Sequence, residues 1–105
     1  MTDLELLRRL DELRRAGLKA CLATVVETEG STPRDVGAKM AVTVDGTILG
    51  TVGGGCGEAR VRSAAIRCLV ATEVPELLEV DLTLSKDGDD SDVCGGRMWV
   101  LLEPG

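Results

Sequence analysis

Residues 50–59 read GTVGGGCGEA: three consecutive glycines, a single cysteine, and Glu58 two positions later. Glycine costs backbone entropy wherever it is fixed, so a run of three needs a reason. At a junction between a strand and a helix, the reason is access to the backbone. The first helical turn leaves N–H groups without internal partners and carries a partial positive charge. Gly53, Gly54 and Gly55 would let a phosphate or another anion approach it closely. A tight turn with no ligand fits the same pattern. The run is not a Walker motif, since no Lys-Ser/Thr follows, and its spacing departs from GxGxxG. Cys56 at a helix start would have its thiolate stabilised, which suits a nucleophile or a soft-metal ligand; a small buried residue is the other reading. Glu58 would meet the helix dipole or accept a hydrogen bond from a ligand.

Two further segments carry related chemistry. GSTPR supplies the hydroxyls of Ser31 and Thr32, the rigid Pro33, and Arg34, whose guanidinium can grip a phosphate bidentately. Lys39 adds a cation nearby in sequence, and the alternative is a solvated loop. VCGGRM repeats the Cys-Gly theme with Cys94, Gly95 and Gly96. The run Asp87, Asp89, Asp90, Asp92 invites a calcium reading. Counting from Asp87, however, Asp92 and Met98 stand where an EF-hand needs Gly and Glu. The run therefore reads as a solvated loop. Cys21 and Cys68 lie in apolar patterns and read as core.

Composition narrows the function classes. The 105 residues suit one domain, residues 1–105. There is no His, so the commonest general base and a common metal ligand are absent. Trp99 is the only aromatic residue, so base stacking is excluded and the core must be aliphatic. The net charge is −6, and residues 73–105 hold nine acids against two bases. Nucleic acid binding has no basic face to use. The four cysteines show no CxxC spacing, the N-terminus reads as a charged amphipathic helix rather than a signal peptide, and no apolar run reaches the ~20 residues of a membrane span. These features predict a cytoplasmic protein with reduced thiols.

The elements that must position these residues follow from periodicity. Thr2 and Glu5 fit a capping box, Leu4, Leu7 and Leu10 recur at helical spacing, and Gly17 fits a terminator, which predicts a helix over 3–16. KACLATVVET predicts a strand buried on both faces. EGSTPRDVGAK reads as a loop. KMAVTVDGTILGTV reads as a hairpin with Asp45-Gly46 in a type I′ turn. CGEARVRSAAIRCLVATE predicts a helix with Val61, Ala65, Cys68 and Thr72 on one face. ELLEVDLTL and RMWVLLE are strands. The expected fold is α/β, one mixed sheet of about five strands with two main helices; an α+β two-layer arrangement is the alternative. The segments 30–39, 53–58 and 94–96 are expected to converge on one face.

Taken in order and at this spacing, GSTPRDVGAKMAV, DGTILGTVGGGCGEARV and CGGRMWVLLEP resemble the XdhC/CoxI family of xanthine dehydrogenase and carbon monoxide dehydrogenase maturation factors. The similarity runs from the first helix to Pro104. It implies a chaperone that binds the molybdenum cofactor as cargo, protects it, and helps insert it into a molybdenum hydroxylase client. Carried over, Ser31, Thr32, Pro33, Arg34, Lys39, Gly53, Gly54, Gly55, Cys56, Glu58, Cys94, Gly95 and Gly96 become candidate cofactor contacts, with Cys56 a candidate molybdenum contact. The resemblance also implies an accessory role rather than catalysis. Members of the family often have a bulkier apolar residue, typically Val, where this chain has Gly57. Many members continue into a Rossmann-like domain, so this region resembles the N-terminal type alone; a separate Rossmann-domain subunit or a cysteine desulfurase joins the expected partners, and a homodimer is a further expectation. Two other readings stay open: a cysteine-based sulfur-transfer or redox enzyme using Cys56 and Cys94, and a purely protein-binding assembly subunit.

Overall fold

The computed structural model describes residues 1–53, 55, 57–84 and 95–105. Gly54, Cys56, Cys94 and the aspartate run lie outside the described residues. Helix α1 spans Asp3–Arg15, where Thr2 caps the helix by accepting from the Glu5 N–H at 3.2 Å. Asp3 and Glu5 occupy its first turn and Arg14 and Arg15 its last, the charge order that the helix dipole favours. Gly17, at φ 89°, ends it as expected. Strands β1 (Ala20–Glu29), β2 (Lys39–Thr43), β3 (Ile48–Gly50), β4 (Glu76–Asp81) and β5 (Arg97–Glu103) follow, with helix α2 (Glu58–Arg67) between β3 and β4.

Among the described residues there is one sheet of five strands with two main helices, in the order β3-β2-β1-β5-β4. Its four pairings are antiparallel throughout rather than mixed. The reason is connectivity: α2 carries the chain from the β3 edge to the β4 edge, where β4 finds β5 instead of another strand of its own direction. The helices take opposite faces. Val61 and Ala65 of α2, with Leu69 just after it, cover Cys21, Met40, Val42, Val100 and Leu102. α1 sets Leu6 and Leu10 on Ala20 and Ala41. β1 is buried on both faces only at Ala20 and Cys21, then alternates, because α1 covers one end of its face.

Two local expectations are corrected. The hairpin does not use a type I′ turn, since Asp45 is not at positive φ while Gly46 is at 91°. Gly46 N–H donates to the Thr43 carbonyl and Thr43 N–H to the Thr47 carbonyl, both at 2.9 Å. This is a three-residue loop closed by a left-handed glycine, the next most common hairpin solution. The second helix ends earlier than its apolar pattern suggests. From Cys68 to Thr72 the backbone widens to a π turn, closed by Glu73 N–H on the Cys68 carbonyl at 2.8 Å, and Thr72 is exposed rather than on the buried face.

Cys21 and Cys68 are both fully buried, as their apolar setting predicts. Burial, and then the neighbouring Cys68, push the Cys21 thiol up to about 12. Neither thiol should react with iodoacetamide in the native protein at neutral pH, and both should react once urea unfolds it; peptide mass mapping reads the result. Because the folded pKa is the higher one, the stability tied to Cys21 is fully present below the ordinary thiol pKa. It is lost as pH rises towards the folded value, and Cys21→Ala should remove that slope.

Candidate functional site

Strand directions decide where the loops go. β1 and β4 end, β2 and β5 begin, and β3 ends at the same end of the sheet. Residues 30–38, 51–53 and 82–84 therefore leave from one end, 95–96 lie there before β5, and α2 starts there. Gly96 is the junction. A Cβ on it would fall 2.4 Å from the Glu29 carbonyl oxygen and 2.5 Å from that of Ser31, so only glycine lets these backbones touch. The Gly96 carbonyl accepts from Leu82 N–H at 2.9 Å, which ties β5 to the end of β4. Gly30, at φ 73°, faces Gly96 from the other side.

The start of α2 joins this junction from the other side of Leu82. Gly57 is the N-cap at φ 77°, with no side chain to cap the helix. A Cβ there would meet Leu82 and Val80 at 3.0 Å and Met98 at 3.2 Å. Gly57 is thus a packed, left-handed glycine. Arg60 Nη1 reinforces the contact by donating to the Asp81 carbonyl at 2.9 Å.

The predicted residues sort into committed and open groups. Glu58 accepts from the Thr51 hydroxyl at 2.8 Å, and the Thr51 oxygen accepts from Gly53 N–H at 3.1 Å. Thr51 is the site residue that sequence reasoning missed; its only signal is a hydroxyl two positions before the glycine run. Lys39 Nζ donates to the Gly37 carbonyl at 3.3 Å, and Thr32 Oγ1 to the Arg34 carbonyl at 3.2 Å. Ser31 is exposed, while Pro33 is half-buried. Gly55 and Gly95 are exposed, and a side chain on either would meet nothing.

Arg34 sits apart from the α2 start. With Asp3, Asp35, Val36, Gly37 and Ala38 it lines an open cleft of about 330 Å³ at the start of α1. Its guanidinium makes no hydrogen bond among the described residues. The cleft also holds the Asp3 and Asp35 carboxylates, so an anion entering it meets one guanidinium and two acids. The structure therefore brings 30–31, 57–58 and 95–96 to one end of the sheet, with α1 and α2 both starting there and Arg34 on the α1 side. Chemically, this end offers two helix starts, a guanidinium and open glycine backbone, a set of donors suited to an anionic group.

The model of the XdhC and CoxI family matches residues 13–81. The uncharacterized protein YqeB of Escherichia coli K12 is 36% identical over 83 residues, 77% of this chain and 15% of YqeB. The molybdenum cofactor insertion chaperone PaoD of the same organism is 39% identical over 64 residues, 61% of this chain and 20% of PaoD. A crystal structure described as a xanthine dehydrogenase from Bacillus halodurans superposes with a TM-score of 0.80 at 33% identity, covering 99% of this chain and 30% of that one. The chain thus spans a fifth or less of the curated relatives it matches.

Proposed function

Since the chain belongs to the XdhC and CoxI family, we propose that it acts in maturation of a molybdenum hydroxylase, binding the molybdenum cofactor as cargo and passing it to the client. The observation that carries this reading is the meeting of 30–31, 57–58 and 95–96 at the end of the sheet where both helices begin. In this reading the cofactor's phosphate lies against a helix start, with Arg34 and Lys39 supplying positive charge. Ser31, Thr32 and Pro33 shape the rim. The exposed glycines Gly55 and Gly95 admit the pterin, with Gly53, Gly54 and Gly96 beside them in sequence, and the Cys56 thiolate meets molybdenum as a soft ligand. Cys94 flanks the same end in sequence. Glu58 acts indirectly, holding Thr51 and through it the glycine turn. The likeness to PaoD, a molybdenum cofactor insertion chaperone, supports the cargo assignment.

Two variants test it. Purified from a host that makes the cofactor, the parent protein should carry molybdenum and pterin fluorescence. Cys56→Ser should keep its fold, because Ser is nearly isosteric and tolerated near a helix start, yet bind cofactor at least about tenfold more weakly, since a hydroxyl is a poor soft-metal ligand. Cys68→Ser should behave oppositely. Its hydroxyl would enter a fully buried site, costing on the order of 1–3 kcal/mol of stability while leaving binding intact. Thermal melts and cofactor titrations read both. A Cys56→Ser protein that binds like the parent removes the thiolate role, and a parent without pterin removes the cargo reading.

A further inference from the structure

The face of the sheet that α1 occupies is only half covered. α1 packs on β1 and β2, and Arg14 Nη2 reaches the end of β5 by donating to the Glu103 carbonyl at 3.0 Å. Beyond it, over β5 and β4, no described element lies on the sheet. Registers show what is left open. Val100, Leu102 and Met98 point to the α2 core, so the alternate residues Trp99 and Leu101 face the uncovered side. Leu77 stands opposite Leu101, and Glu79 and Glu27 stand on either side of Trp99. Leu77 is 62% exposed, and Trp99 and Leu101 are half-buried. One wall is α1 itself: Leu7, two turns before Arg14 and on the same flank, is 40% exposed.

We propose that this bay is a docking site for one amphipathic helix of a separate protein, with an apolar ridge flanked by lysines or arginines. The width fits: two strands about 4.8 Å apart make a floor for a helix about 10 Å across, laid in the same layer as α1. The charge decides the flanks. Among the described residues, Glu27, Glu79 and Asp81 border the floor, and the two bases beside them are already engaged: Arg97 is divided between Glu79 at 3.8 Å and Asp81 at 3.7 Å, and Arg14 donates to the Ala20 and Glu103 carbonyls. The excess is negative, so a basic helix gains attraction where an acidic one is repelled. A second copy of this chain is a poor occupant: apposed bays would bring the same acids together, and the outward side of α1 offers one exposed leucine, Leu4, among Arg8, Asp11, Glu12 and Arg15, which is no apolar ridge. The inference does not depend on cofactor binding.

Trp99 is the only tryptophan and lies on the floor, so its fluorescence reports occupancy directly. The full chain is titrated with a synthetic helical peptide of ~18 residues with one leucine ridge flanked by lysines, and with a counterpart carrying glutamates in their place. The lysine peptide should shift Trp99 emission to the blue saturably, and the glutamate peptide should not. Leu77→Ser and Glu79→Lys should each weaken the lysine peptide roughly fivefold or more, with melting curves like the parent's because both residues are exposed. Added salt should weaken it further. The proposal is overturned by no Trp99 response to the lysine peptide, by an equal response to the glutamate peptide, by binding unchanged in both variants, or by sedimentation showing a dimer that Leu77→Ser disrupts.

Discussion

Gly96→Ala should destabilise the protein by about 3 kcal/mol or more, lowering Tm by roughly 12 °C or more for a domain of this size. The added methyl would lie 2.4 Å and 2.5 Å from two carbonyl oxygens, Glu29 and Ser31. Those are backbone atoms, so no rotamer change relieves the clash. Moving Gly96 away would break its bond from Leu82 N–H and disturb the Glu29–Arg97 pairing that begins β5. Gly95→Ala is the control. A methyl there meets nothing and should change stability by less than about 0.5 kcal/mol. Urea unfolding of both variants decides it. Equal midpoints would mean that the 30–31 and 95–96 backbones do not touch.

Gly57→Val should cost nearly as much, about 3 kcal/mol, although Val is the residue the family resemblance leads one to expect here. A β-branched residue at φ 77° pays roughly 1–2 kcal/mol for the left-handed backbone. Its Cβ also starts 3.0 Å from Leu82 and Val80 and 3.2 Å from Met98, which adds an overpacking cost of roughly 1–3 kcal/mol. Those neighbours are side chains and can give somewhat, so the sum stays below the extreme. Gly57→Asn should lose less, because Asn tolerates the left-handed region. If Gly57→Val is as stable as the parent, α2 starts with a different backbone from the one described.

Much of this architecture is legible in the residues themselves. The Thr2–Glu5 cap, the leucine spacing and Gly17 locate α1 to within a residue, because a short exposed helix is governed by local rules. Asp45-Gly46 locates the hairpin but not its turn type, since either central pair of a turn can use the same glycine. The antiparallel order is not legible, because period-two patterns say which face a residue takes and nothing of its partner. The π turn hides for a similar reason: Cys68 and Leu69 continue the apolar rhythm of α2. At the site, glycines announce themselves by type but not by use. Gly96 and Gly57 are packing glycines and Gly55 and Gly95 open ones, a difference set by chain segments distant in sequence. Thr51 escapes notice because one hydroxyl beside a glycine run carries little pattern of its own.

The place of β1 at the centre of the sheet has a consequence for synthesis. Its partner on one side, β5, lies at the far end of the chain: Leu22 pairs with Glu103 and Val25 with Val100. A ribosome releases β1 long before β5 exists, and contacts this distant in sequence form slowly. Until then β1 can pair only with β2, leaving an apolar strand with an open edge able to join another nascent chain. Protection during translation would need to act on Ala20–Val25, and a stop codon before Arg97 should yield aggregate in place of a smaller folded domain.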